Sequence, residues 1–462
     1  MSALSEIIAL TSDPDPYRNA PDNLAELQLE AARERFALHR DKIRVLDRRA
    51  QDAGVSEIRS MRDLVPLLFM HTNYKSYPES FLDKGQWGHM NLWLQTLTSH
   101  AVAGVNLPPE ADADDWLDAL AASGHHAFTS SGTSGKVSFL DQSDADMTAA
   151  TAAYRVAYLK SNHRFTPNQD RAVFIGMPPR STYRVAPHSN AYYESVARPG
   201  DLHRISDARL KVSPTIEGGK LRRAIAAGTA RPAEIAAFEA ASAAQRKASG
   251  ENFQAFVDKI AARRHEPTVI GLGWGLLYEL VKTLRARGIP DGDFHPDLLV
   301  ESGGGVKGAN LPVDYRQQID SFFGLASDQL TNKYGMTEMT GLAPYLPWLD
   351  GYAFPPWVVP LVLDKAGEVL LNPPRGGGQV EGRMALYDLA SDARWGGLIS
   401  GDKVVIDFSD VGDGLKVPLV RSVARYSDLE EGEDKLTCAG TIDAYVRGEV
   451  AGGPVAGDGS AS

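Results

Sequence analysis

The 462-residue sequence holds one cysteine, Cys438, which excludes an internal disulfide framework and cysteine-rich zinc sites and fits a reducing cytoplasm. It lacks a basic surplus. With 48 Lys and Arg against 59 Asp and Glu the net charge is −11, and a nucleic-acid partner would call for a basic face. No apolar run approaches the roughly 20 residues of a membrane span, and the acidic first residues carry no basic leader segment. The eleven histidines show no metal-ligand spacing, because the adjacent His125 and His126 cannot easily face one ion. No internal repeat appears. Hydrophobic content of 43% and charged content of 23% are those of an ordinary globular chain, long enough for several subdomains.

What is present starts with Phe128-Thr129-Ser130-Ser131-Gly132-Thr133-Ser134-Gly135-Lys136. Two glycines free the backbone to turn several N–H groups toward one point, and hydroxyls with a terminal cation add donors for polyphosphate oxygens, so the run reads as an anion cradle with ATP as its guest. A mobile Ser/Thr/Gly surface loop is the plainer reading. A Walker A loop is excluded by spacing, since Ser130 stands where that motif needs glycine and Val137 where it needs Ser or Thr. Ser143 is placed to cap a helix running through Tyr154 and Leu159.

Along the rest of the chain, Asn23 with Glu26 has the spacing of a capping box, and Leu24, Leu27, Ala31, Phe36 and Ile43 predict one long helix ending near Gly54. Residues 61–97 carry Tyr74-Lys75-Ser76-Tyr77-Pro78, Trp87 and Trp93, read as cover for the core. Ala172-Val173-Phe174-Ile175-Gly176 predicts a buried strand feeding a loop with Arg180, Tyr183, Arg184 and His188, residues able to meet an anion but more often a surface feature. Residues 232–264 predict a helical insert or hairpin. Val269 to Gly273 predicts a strand, and the segment from Trp274 to Arg287 an apolar helix stopped by Gly288.

After a predicted strand at Asp297-Leu298-Leu299-Val300 come Ser302-Gly303-Gly304-Gly305-Val306-Lys307 and then Asn332-Lys333-Tyr334-Gly335-Met336-Thr337-Glu338. Adjacent glycines let a planar base lie against backbone, while an aromatic, a hydroxyl and a carboxylate offer stacking, a phosphate donor and a Mg²⁺ ligand. Gly401-Asp402 comes just after the apolar run that ends at Ile399. Together these motifs, in this order, resemble the adenylate-forming superfamily, above all its acyl-protein synthetase and phenylacetate–CoA ligase branches, over about residues 125–450.

The resemblance implies an α/β fold with a large body of mixed sheets flanked by helices. It divides the chain into a helical part (1–100), an adenylate-forming core (101–400), a hinge with a truncated or vestigial C-terminal subdomain (401–450) and a flexible tail (451–462). It implies that an ATP- and Mg²⁺-dependent ligase activates a carboxylic acid as acyl-AMP, releases pyrophosphate and passes the acyl group to a partner protein or small nucleophile. An acyl-CoA ligase or a non-catalytic nucleotide-binding subunit are the alternatives. In this scheme Lys136, with Ser130, Ser131, Gly132, Thr133, Ser134 and Gly135, holds pyrophosphate. Thr337 meets the α-phosphate, Glu338 the Mg²⁺ and Lys307 a further anion. Gly303, Gly304, Gly305, Asn332, Tyr334 and Gly335 surround adenine, and Asp402 binds ribose. Thr441 stands where the family has a ribose-binding arginine, for which Arg421 or Arg425 is the substitute. Gly273, Trp274 and Leu277 line the acyl pocket or form a plain buried helix. Cys438 reads more readily as a small buried hydrophobe than as an acyl carrier.

Overall fold

The computed structural model describes residues 1–102, 104–130, 136–162, 167–303, 311–374 and 376–426. Five short strands, Ala197–Arg204, Arg171–Ile175, Thr268–Gly271, Leu299–Glu301 and Leu330–Thr331, lie in that order in an all-parallel sheet. In the three central strands, Arg171–Ile175, Thr268–Gly271 and Leu299–Glu301, burial does not alternate because both faces are covered. On one face Phe174, Ile270 and Val300 meet Phe256 and the helix Trp274–Ala286; on the other Val173, Val269 and Leu299 lie under Tyr154, Tyr158, Tyr192 and Tyr193. The result is a three-layer α/β body.

A second, mainly antiparallel sheet runs Val358–Leu363, Gln379–Asp388, Gly397–Asp407, Leu419–Arg425, Gly351–Ala353, Ala343–Leu346 and Lys333–Tyr334. The strand Gly397–Asp407 changes neighbours midway. Its start pairs in parallel with Phe69–Met70, and its end, from Asp402, pairs with Leu419–Arg425. On its other side the register jumps from Ala385↔Ile399 to Arg383↔Lys403, so Ser400 to Asp402 form a bulge opposite Met384. Bulges bend a strand and re-aim side chains, and this one carries Asp402.

The expected helix after Ser143 is Asp144–Ser161, with the Ser143 hydroxyl accepting from the Asp146 amide at 3.2 Å. Gly288 stops Trp274–Ala286 at a φ of +83°. The N-terminal expectation needs correction. Leu24–His39 and Arg44–Asp52 are separate helices, and Asn23 makes no side-chain cap bond. The chain turns between them so that Ile43 is fully buried and the Val45 amide bonds the Thr96 carbonyl, a tertiary pull that local periodicity does not register. Residues 232–264 form one long helix rather than a hairpin, Pro232–Ala262, which follows the helix Ser213–Ala226 and buries only Phe256, Val257 and Ile260. No helix among the described residues is long and apolar enough to cross a membrane.

Candidate active site

The edge strand Lys333–Tyr334 leads from the parallel sheet into the antiparallel one, and its last residue reaches the bulge. The Tyr334 hydroxyl donates to Asp402 Oδ2 at 2.9 Å. Burial first, then Asp402, then Glu338 push that hydroxyl far above its ordinary pKa, so it stays a donor, and both carboxylates lie close enough to act on it. Register sets Arg425 directly opposite Asp402, with Nε 3.7 Å from Oδ1 and the arginine 69% exposed. Arg421 is occupied elsewhere. It bonds Asp407 Oδ2 through Nε and Nη2 at 3.1 and 2.8 Å and also reaches the Leu349 carbonyl. Of the two arginines, Arg425 is therefore the one that adjoins Asp402.

Gly335 to Thr340 turn the chain back toward Ala343–Leu346. A Cβ at Gly335 would come within 2.5 Å of Leu342 Cδ2, so a larger residue there would have to displace that side chain. Two buried arginines clamp the backbone of this turn. Arg184 Nη1 donates to the Thr337 and Met339 carbonyls at 3.1 and 2.6 Å, and its Nη2 to Thr340 Oγ1 at 3.0 Å. Arg394 Nη2 donates to the Glu338 carbonyl at 2.5 Å and lies 3.9 Å from Asp388, which accepts the Thr340 amide at 2.7 Å. Thr337 remains partly exposed while Glu338 is buried. Burial raises the Glu338 carboxyl, against the opposing pull of Arg394, Lys75 and Arg184. Such a carboxylate gains by meeting a cation. Mg²⁺ is commonly held by one or two carboxylates plus phosphate oxygens and water, which this single carboxylate fits. Among the described residues no group of three or more His, Cys, Asp or Glu is placed to hold a metal ion by itself.

Phe128–Thr129 and Phe139–Leu140 pair antiparallel, with the hydroxyl- and glycine-rich run between them in sequence. Ser130 leads in, half-buried. Lys136 leads out, with Nζ 2.5 Å from the Tyr77 carbonyl and 4.5 Å from the Tyr77 ring centre. Ser131, Gly132, Thr133, Ser134 and Gly135 lie outside the described residues, as do Gly304, Gly305, Lys307, Cys438 and Thr441. Gly303 is described, and a Cβ there would lie 3.3 Å from the Lys333 carbonyl oxygen. Asn332 donates to the Tyr352 hydroxyl at 2.7 Å. Gly273 caps Trp274–Ala286, whose Trp274 and Leu277 belong to the core behind the parallel sheet, where the Arg316 guanidinium covers the Trp274 ring at 4.8 Å.

Three residues that act on this site have no motif to mark them. Lys75, within the stretch read as core cover, faces Glu338 electrostatically. Arg184, read as a surface residue, is 2% exposed, and Arg394 is 1% exposed. A lone arginine inside an apolar run, as in Ala393-Arg394-Trp395, was the only available signal.

No family model and no curated protein matches the sequence. Similar solved structures include an acyl acid amido synthetase in complex with 2,4-DB, at 11% identity and TM-score 0.39, covering 88% of this chain and 70% of that one. Another is McyG A-PCP with phenylalanyl-adenylate, at 10% identity and TM-score 0.35, covering 66% of this chain and 49% of that one. A third is an acyl-CoA synthetase (AMP-forming)/AMP-acid ligase II-like protein from Dyadobacter fermentans, at 11% identity and TM-score 0.29, covering 63% and 59%. The chain thus spans about half the length of the first of the adenylation proteins it resembles. At such identities and scores its activity has to be argued from its own residues.

Proposed function

We propose that the protein activates a carboxylic acid with ATP, forming an acyl-adenylate and pyrophosphate, and then passes the acyl group to a protein or small-molecule nucleophile. The observation that carries this reading is the meeting of two distant motifs: Tyr334, four residues before Glu338, is hydrogen-bonded to Asp402, 68 positions away. In this reading Asp402 is the ribose carboxylate, Tyr334 the aromatic neighbour of the base and Glu338 the metal ligand.

In this reading a carboxylate oxygen of the acid attacks the α-phosphorus, one P–O bond forms, and the bond to the β-phosphate breaks as pyrophosphate departs. The chain's part is positioning and charge neutralisation. Asp402 accepts from the ribose hydroxyls, with Arg425 beside it. Tyr334 and the backbone at Gly303 flank the base, and Thr337 offers its hydroxyl to the α-phosphate. Lys136 and the loop before it receive the pyrophosphate. Mg²⁺, when bound, neutralises phosphate charge, and Glu338 would hold it, on a turn that Arg184 and Arg394 keep from shifting.

The test is carboxylate-dependent exchange of labelled pyrophosphate into ATP, with hydroxylamine and coenzyme A offered in parallel to identify the acceptor. Glu338→Gln keeps the shape and removes the charge, and should slow exchange about 10²–10³-fold with the fold intact. Exchange that is absent with every acid, or indifferent to Glu338, would sink the reading.

A further inference from the structure

Against the arginine that clamps the Glu338 turn runs a strap of chain, residues 98–101, that the proposed reaction leaves unused. Thr98 is the antiparallel bridge partner of Arg394, the Ser99 amide donates to the Ala393 carbonyl at 2.6 Å, and the Ser99 hydroxyl donates to the Asp392 carbonyl at 2.7 Å. The strap therefore lies along the backbone that presents Arg394 to the Glu338 carbonyl. Asp146 accepts the Asp392 and Ala393 amides at 2.7 and 2.9 Å, so the strap and Asp146 together hold this stretch.

A histidine fastens the end of the strap. The Ala101 carbonyl lies 3.1 Å from His125 Nε2, while His125 Nδ1 lies 2.8 Å from Asp141 Oδ2. The Thr98 hydroxyl lies 2.7 Å from the same Asp141 oxygen and 2.9 Å from the Ala393 carbonyl, and Thr98, His125 and Asp141 are all buried. A carboxylate and a carbonyl only accept. Imidazolium satisfies both, but a neutral ring has one N–H and must set a lone pair against one of them. Asp141, being charged, makes the stronger bond and keeps that N–H, so the Ala101 carbonyl is the one released. Among the described residues, two titratable groups face the ring. Asp141, through its hydrogen bond and against burial, raises the ring's pKa above the ordinary 6.5. His100 stands edge-on at 6.5 Å, with its own Nε2 2.9 Å from Asp392, and Arg35 lies 3.4 Å from that carboxylate.

We infer that His125 is a positioning residue for the activation of the acid: its imidazolium ties Ala101 to Asp141 and, through the strap and Arg394, holds the turn that carries Thr337 and Glu338. Activation therefore weakens as the ring loses its proton. This rests on the acyl-adenylate reading, in which Glu338 binds Mg²⁺. The test follows pyrophosphate exchange from about pH 6 to about pH 9 in wild type and in His125→Gln, whose amide oxygen stands where the second N–H was, with the ring's own titration read by NMR. Wild type should exceed the variant about tenfold in kcat/KM at the acid end and match it at the alkaline end. The midpoint of that loss should coincide with the ring's titration, and the apparent KM for Mg²⁺ should rise with it. A merely structural histidine would lower both ends alike. A constant ratio across the range, a midpoint away from the ring's titration, or an unmoved KM for Mg²⁺ would overturn the proposal. The midpoint and the KM are read on wild type alone, so they decide the matter even where the variant does not fold. If no acid supports exchange, the activation reading fails by itself, and amide hydrogen exchange decides this one. The Ser99 and Thr340 amides, bonded to the Ala393 carbonyl and to Asp388, should be better protected in wild type than in His125→Gln at about pH 6 and equally protected at about pH 9. Equal protection at both rejects it.

Discussion

Glu338 and His125 show at the residue scale how burial sets charge. The raised Glu338 carboxyl holds its proton more tightly folded than unfolded, so this group weakens folding as pH rises above about 4.5, its ordinary value, and a cation relieves that cost. Added Mg²⁺ with ATP should therefore raise the melting temperature more near pH 7.5 than near pH 5, and the difference should vanish in Glu338→Gln. An unchanged Mg²⁺ response in the variant would remove the residue from the metal site. His125 has the opposite sign. Its Nδ1 lies 2.8 Å from Asp141 and its Nε2 3.1 Å from the Ala101 carbonyl, two acceptors that only the protonated ring satisfies. The Asp141 bond, against burial, raises its pKa above the ordinary 6.5. The stabilisation is full below about 6.5 and is lost as pH rises through the folded value, so the melting temperature of wild type should fall relative to His125→Gln between about pH 6 and pH 8.5. Parallel curves for the two proteins would refute the assignment.

Elements hold the site through their turns. The segment bearing Thr337 and Glu338 has no regular hydrogen-bond ladder and depends on Arg184 and Arg394, which arrive from a loop and from the approach to a strand. Arg394→Met leaves the Glu338 carbonyl and Asp388 without their cation and should cost about 3–5 kcal/mol, measured by urea unfolding. A loss under about 1 kcal/mol would show that the clamp is dispensable. The strand Leu419–Arg425 gives a second contrast. Arg425, exposed and 3.7 Å from Asp402, contributes little to stability, so Arg425→Ala should raise the KM for ATP while leaving the unfolding midpoint nearly unmoved. Arg421→Ala should do the reverse, because Arg421 ties Asp407 to the Leu349 carbonyl.

At the scale of the whole molecule, the first hundred residues and the antiparallel sheet share one hydrophobic cluster running from Leu4 to Val420. Trp395 is a main tie. Fully buried, it donates from Nε1 to the Leu67 carbonyl at 2.9 Å, accepts from the Tyr74 hydroxyl at 3.2 Å, and sets its ring edge-on to Phe36. Trp395→Ala should cost about 3–5 kcal/mol, and the N-terminal helices should unfold together with the sheet. Two transitions, one monitored by helical circular dichroism and the other by tryptophan fluorescence, would contradict a shared core.

The sequence by itself determined the local elements and the order of the motifs. Ser143 starts a helix and Gly288 ends one because capping and positive φ are local chemistry, and unbroken apolar runs such as Ala172 to Ile175 mark strands covered on both faces. Tertiary structure decided which distant groups meet. Apolar periodicity reports that a side chain is covered without naming what covers it, so it left Trp274 and Leu277 open between core and pocket, placed Arg184 at the surface, and ran one helix through a turn made to bury Ile43. Which of Arg421 and Arg425 lies opposite Asp402 turned on strand register, and the bond from Tyr334 to Asp402 on a bulge in another strand. Both depend on pairings between strands far apart in sequence, where local propensity carries no information.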